Sequence, residues 1–352
     1  MIRYILCFLF ATACSSPSTS PMGDGSTGSA DDNSAATVVK MAESTRVLSV
    51  MGTELSITAS HASQQVVQTA LDAAIAEIQR VEDLATDWRD SPLMTLNRAK
   101  GDGPHSVPRE LVQLIEKALL CSELSNGAFD STFRAVGALW DFKAKPPRVP
   151  SQELVNQTLL MVGYQKVSVD VGAATVTRPE GLWIGLGGIA KGYGVDRAMA
   201  VLMEHGIENG IVNAGGDLKA LGKNGSELWT IAIRHPRDQS RIIAVLPISN
   251  TCVVTSGDYE RFFEYNGKRY HHILDPRTGF PSTGAISSTV IAPDAATADA
   301  LATALCVLPP ETGIGLIEQL PRVEAIIVQM DGSVLTTTGL QLPDSSSSSP
   351  GN

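Results

Sequence analysis

The sequence predicts a mixed α/β (α+β) fold. Apolar residues recurring every three or four positions mark several amphipathic helices. Short β-branched runs lie between them without the regular strand–helix alternation of a parallel sheet. No period of roughly 20–50 residues recurs, which excludes solenoid and propeller architectures. With 352 residues, 43% of them hydrophobic, the chain is long enough to bury a sizeable core. Aromatics make up only 5%, so that core rests on Val, Ile, Leu and Ala.

The elements follow in order. Arg3 precedes an apolar run over residues 4–10, too short to span a bilayer, which needs about 20 residues, but suited to the core of a secretory signal. Ala11-Thr12-Ala13-Cys14 is similar to the bacterial lipoprotein box, with Ala11 where Leu is usual. The reading is a signal peptide over 1–13 and a tether over 14–45 lipidated at Cys14, which puts the protein outside the cytoplasm on a bacterial membrane; a plain secretory signal cut after Ala13 is the alternative. Residues 15–37 contain no aromatic and no basic side chain and cannot support a core. The Ser-rich stretch 343–352 reads as a disordered tail, leaving 46–342 as the folded part.

Within it, Val66, Val67, Ala70, Leu71, Ala74, Ile75, Ile78, Val81 and Leu84 form the stripe of a first helix. Pro108 opens a second, stopped by Asn126-Gly127. A third covers about 191–205, and a fourth about 296–307, stopped by Pro309-Pro310. The β-rich runs are KVSVD, ATVT, GLWIG, GIVNA, LWTIAIR, RIIAVLPI, TCVVT, SSTVIA and EAIIVQ. The net charge of −10 argues against a nucleic-acid surface. Cys121, Cys252 and Cys306 show no C-x-x-C spacing and read as small buried hydrophobes.

Gly, Asp, Thr and His gather in a few segments: GAFDSTF (127–133), GLGGIAKGYGVD (185–196), NAGGDL (213–218), TSGDYERFF (255–263) and HHILDPRTGFP (271–281). Gly185, Gly187 and Ala190 fit G-x-G-x-x-A, the dinucleotide-binding pattern, but the acidic residue that should follow has no good match: Glu204 lies on a helix and Asp217 comes late. Asp299 and Thr303, spaced i, i+4, share a helix face and offer hard oxygen donors for magnesium or calcium; taken alone, a solvated Asp299 and a Thr303 bonded to its own helix explain them as well. His271 and His272 point to opposite faces if extended, so one of them at most faces a given site. Asp275-Pro276-Arg277-Thr278-Gly279 has turn chemistry.

Taken together and in this order, with Met51-Gly52-Thr53 as an opening strand, TDWRDSPLMTLN (86–97) and ADALATAL (298–305), the segments resemble the ApbE family of flavin transferases over most of the folded chain. The resemblance implies an ApbE-like fold with FAD in a cleft, a divalent metal (magnesium, with calcium as the other choice) at its pyrophosphate, and transfer of FMN to a Thr or Ser hydroxyl of an acceptor protein with release of AMP. Carried onto this chain, Met51, Trp88, Ala128, Phe129, Asp130 and Ile273 would contact the flavin nucleotide, and Lys191 would add positive charge. Asp299, Thr303 and the main chain at Gly188 would hold the metal. His272 would carry the proton, with Asp275 as the other candidate base. The acceptor would be an exported domain of a membrane redox complex. The chain departs from the family at Gly185, where an Asp is usual; this keeps a non-catalytic FAD-binding lipoprotein, or an FAD pyrophosphatase, as the alternative. DGSTGSA (24–30) echoes the acceptor motif of such enzymes but lacks its final Thr.

Overall fold

A computed structural model describes residues 41–340; the signal segment, Cys14, nearly all of the tether, DGSTGSA and the tail lie outside the described residues. The chain opens with a hairpin, β1 (Ala42–Val50) and β2 (Thr53–His61), in which Val50 faces Thr53. Its turn is Met51-Gly52, with φ of 52° and 73°. Positive φ at both central positions is the type I′ signature that matches strand twist. Residues 51–53 therefore form a turn and a strand start rather than an opening strand. β1 begins four residues earlier than expected, inside the stretch read as tether. Its inward positions Ala42, Ser44 and Arg46 are half-buried and give no apolar stripe to read.

The helices α1 (Gln64–Ala85) and α2 (Pro92–Arg98) follow. Next come β3 (His105–Ser106), α3 (Arg109–Leu124), α4 (Arg134–Gly137), α5 (Gln152–Leu159), β4 (Ser168–Asp170) and β5 (Thr175–Thr177). β3, β5 and β4 make a small three-stranded sheet. After α6 (Ala190–Glu204) the chain returns as β6 (Asn209–Ala214) and β7 (Asp217–Leu221). β8 (Trp229–His235) and β9 (Asp238–Ile248) form a hairpin, followed by β10 (Thr251–Gly257). A second hairpin, β11 (Phe262–Tyr265) and β12 (Lys268–His271), precedes β13 (Ser287–Ala292), α7 (Ala295–Val307), α8 (Pro310–Ile317), β14 (Glu324–Val328) and β15 (Val334–Thr336).

The main sheet has eight strands in the order β1-β2-β6-β7-β10-β13-β14-β15, every neighbouring pair antiparallel. Its two faces are sorted by strand alternation. Val254, Ala325 and Ile327 join the larger core under α1, α6 and α7, while Val253 and Ile326 join a smaller core under the β8–β9 hairpin. Each large apolar side chain so buried contributes about 1.5–3 kcal/mol. The Cys121, Cys252 and Cys306 thiols are free and buried, as expected. No helix among the described residues is long and apolar enough to cross a membrane.

GLWIG does not form a strand. Leu182, Ile184 and Leu186 are fully buried in an extended segment without a strand partner. The Asn97 side chain takes that partner's place, donating to the Ile184 carbonyl and accepting from the Ile184 N–H, both at 2.8 Å. The Gly185 N–H donates to the Ser131 carbonyl at 2.7 Å. A buried backbone needs partners, and here side chain and loop supply them.

Candidate active site

The excursions between β2 and β6 and between β10 and β13 meet in a cleft with two lobes. The larger, 860 Å³, is lined by residues that include Met51, Trp88, Lys143, Gly187, Lys191 and Arg261. The smaller, 400 Å³, is lined by residues that include Ala128, Phe129, Asp130, Gly188, His272, Ile273, Asp299 and Thr303. Asp87, Trp88, Phe142, Gly187, Lys191 and Arg261 border both lobes and form the neck between them. The cleft thus gathers every expected site residue except Asp275. The Asp275 carboxylate instead receives the Arg277 guanidinium at 2.7 and 2.8 Å and the Arg277 N–H, and its carbonyl accepts from Thr278 and Gly279. It builds the turn its sequence predicts. Cys14 lies outside the described residues.

Local chemistry explains the placements. Asn126 and Gly127 take positive φ, 49° and 76°, and end α3 in a sharp turn. The Ser125 hydroxyl then accepts the Phe129 N–H at 3.0 Å, fixing Phe129 against the cleft. Asp130 accepts from the Thr132 N–H and hydroxyl and from the Tyr164 N–H, so its carboxylate braces two loops; burial nevertheless raises its pKa. Gly188 is tightly packed: a Cβ there would lie 3.1 Å from the Phe129 ring and 3.3 Å from Thr303 Oγ1. Main chain, hydroxyl and ring are thereby neighbours.

At the neck lies a buried charge cluster. Lys191 Nζ donates to Asp217 and lies 3.5 Å from Asp299 Oδ1, while Asp299 Oδ2 accepts the Gly192 N–H at 3.2 Å. Asp217 is 1% and Asp299 2% exposed, so neither is the solvated carboxylate that Asp299 resembles in isolation. Burial and the adjacent Asp299 push Asp217 up to about 8 against the pull of Lys191. Burial works against the Lys191 charge, but Asp217 and Asp299 outweigh it and hold the ammonium above its usual range. Two acids and one ammonium crowd a low-dielectric pocket, and the crowding raises the proton affinity of Asp217. Among the described residues no set of three or more His, Cys, Asp and Glu side chains converges as a metal cage. The oxygen donors that fit a hard cation are the Asp299 carboxylate, the Thr303 hydroxyl and the main chain at Gly188.

His272 also lines the smaller lobe. Burial, then the nearby Arg261 guanidinium, push its pKa down to about 4, and its Nδ1 has no hydrogen-bond partner. His271 turns away and offers Nε2 to the Ser282 carbonyl at 3.0 Å, as expected for adjacent histidines. Beside this lobe, Trp140 is packed among Phe142, Phe263, Tyr270 and Phe280 and donates its indole N–H to the Gly279 carbonyl at 3.0 Å. Trp88 is 61% exposed at the neck, an aromatic face open to a ligand.

Sequence reasoning missed Asp217, Arg261 and the Asp87–Arg134 pair. Asp217 was visible as the acid of NAGGDL, but only the fold brings it to Lys191. At Gly185, where the resemblance implies a carboxylate, a Cβ would meet the Arg134 side chain at 3.1 Å and Asp87 Oδ2 at 3.4 Å. Arg134 Nε and Asp87 Oδ2 pair at 2.5 Å, so a carboxylate reaches that spot from another loop.

A sequence profile described as the ApbE family matches residues 51–327. A Treponema pallidum protein named FAD:protein FMN transferase is 35% identical over 292 residues, 78% of this chain and 81% of its own length. The structure of the ApbE protein from Thermotoga maritima superposes with a TM-score of 0.77 at 35% identity, covering 85% of this chain and 98% of that one. The flavin transferase ApbE from Vibrio cholerae superposes at 0.74 and 31% identity, covering 85% and 98%.

Proposed function

The chain belongs to the ApbE family, and from that premise we propose that it transfers FMN from FAD to a Thr or Ser hydroxyl of an acceptor protein, releasing AMP. The observation that carries this reading is a two-lobed cleft whose neck holds Lys191, gripped by the buried Asp217 and Asp299, with Asp299, Thr303 and Gly188 together on the wall of the smaller lobe. FAD has two nucleotide halves joined by a pyrophosphate, and the cleft has two lobes joined at that neck. Met51, Trp88, Ala128, Phe129 and Ile273 would line the nucleotide, with Asp130 bracing the loop that carries Phe129. Asp299, Thr303 and the Gly188 carbonyl would hold Mg²⁺, whose charge, when bound, neutralises the pyrophosphate.

The remaining roles fall to side chains in place. His272 is neutral at pH 7 and its Nδ1 is unengaged. It takes the proton of the acceptor hydroxyl as that oxygen attacks the FMN phosphorus. The phosphoester bond forms, the pyrophosphate P–O bond breaks, and AMP leaves. Catalysis of this kind rests on positioning and charge rather than on a covalent enzyme intermediate. The proposal includes export with a lipid on Cys14 and an acceptor in a membrane redox complex; mass spectrometry of the protein from a native membrane, without diacylglyceryl on Cys14, would refute the anchor.

The test is incubation of the protein with FAD, MgCl₂ and an acceptor carrying a D-x-x-T-G/S-A-T segment. The expected result is an FMN adduct on the acceptor Thr by mass spectrometry, with AMP in equal amount, abolished by EDTA. AMP without adduct from any such acceptor would make the protein a pyrophosphatase, and bound FAD without AMP a carrier.

A further inference from the structure

We propose that Arg261 is a substrate-positioning residue whose guanidinium receives a phosphate of the FAD pyrophosphate where the two lobes meet. This rests on the flavin-transferase reading above. Three cations other than Arg261 line the cleft, and each is otherwise placed. Lys191 is held by Asp217 and Asp299, and Arg134 is paired with Asp87. Lys143 borders only the larger lobe. Arg261 borders both lobes, and its guanidinium has no carboxylate within ion-pair distance among the described residues.

The fold puts it there. Arg261 immediately precedes β11 and His272 immediately follows β12, and Phe262 pairs with His271 at the base of that hairpin. The His272 N–H donates to the Arg261 carbonyl at 3.0 Å, tying the two main chains together. Across the neck, the guanidinium lies over the β1–β2 turn, where a Cβ on Gly52 would be 3.5 Å from its Nη2. Glycine takes that φ of 73° without strain, and it leaves the space open. A planar fork with free N–H groups beside the candidate base, at the junction of two nucleotide-sized lobes, matches a bridging phosphate better than either ring system.

The experiment is fluorescence titration of FAD and of riboflavin, in MgCl₂ and without acceptor, against wild type, R261Q and R261K. The expected result is a loss of FAD affinity of roughly 10–100-fold in R261Q, as for a lost hydrogen bond to a charged group. R261K keeps the charge without the fork and falls between the two. Riboflavin, which lacks phosphate, binds all three proteins alike. R261Q holding FAD within twofold of wild type overturns the proposal, and so does an equal loss of FAD and riboflavin, which would mark a structural role. Wild type failing to bind FAD at all would instead overturn the flavin-transferase reading.

Discussion

Asp299 and His272 illustrate how burial sets the chemistry of single residues. Asp299 lies beside a second carboxylate and one ammonium, so replacing it with Asn removes charge while keeping shape and the Gly192 contact. D299N is expected to lower FMN transfer at least 100-fold and to abolish the response of rate to added Mg²⁺; an unchanged magnesium titration would refute its role as ligand. His272 carries a different signature. Its pKa falls from 6.5 to about 4 in the folded chain. The unfolded chain therefore binds an extra proton between those values. The corresponding stability is complete above pH 6.5 and is lost as pH drops towards 4, of order 3 kcal/mol. Urea melts between pH 7 and 4 should show this loss in wild type and a smaller one in H272Q. With His272 as base, the acid limb of the transfer rate should fall near pH 4 rather than 6.5, and H272Q should lose roughly 100- to 10,000-fold in kcat.

Among the elements, α6 and α7 are pressed together because α6 carries Gly192 where a Cβ would overlap the Ala295 carbonyl. G192A should cost about 3 kcal/mol or more by overpacking, and should impair transfer as well, since Lys191 and Asp299 flank the contact. N97A should cost about 2–4 kcal/mol in a urea melt, because it strands a buried N–H and C=O of Ile184. These two positions also mark how far the sequence could be read. Periodicity located α1, α3, α6 and α7 to within a residue or two, because each buries a continuous apolar stripe. It mistook residues 181–185 for a strand, since a buried extended segment and a buried strand share one apolar pattern and differ only in who partners the backbone. The motif order brought out Phe129, Asp299 and Thr303. Arg261 and Asp87 stayed hidden because an arginine in a loop or an acid beside a tryptophan acquires meaning only when the fold brings it to the neck of the cleft.

For the molecule as a whole, ligand and metal should act as braces. The cleft is lined by α1, the α3–α4 loop, α6, the β11–β12 hairpin and α7, so anything bound there ties the two long excursions together. FAD at 100 times its Kd should add about 2.7 kcal/mol to stability, visible as a rise in melting temperature that R261Q and D299N diminish. Among the described residues β1 and β15 are the end strands of the main sheet, and β1–β2, β6–β7, β13–β14 and β14–β15 pair strands consecutive in the chain. Yet the strands β2 and β6 are neighbours although α1 through α6 lie between them in the chain, and Met51 and Thr303 border one cleft from nearly opposite ends of it. The larger lobe draws its lining from residues 51–262 and the smaller one reaches on to Thr303, so a ligand that spans both lobes reports that α7 has packed against segments made about 250 residues earlier.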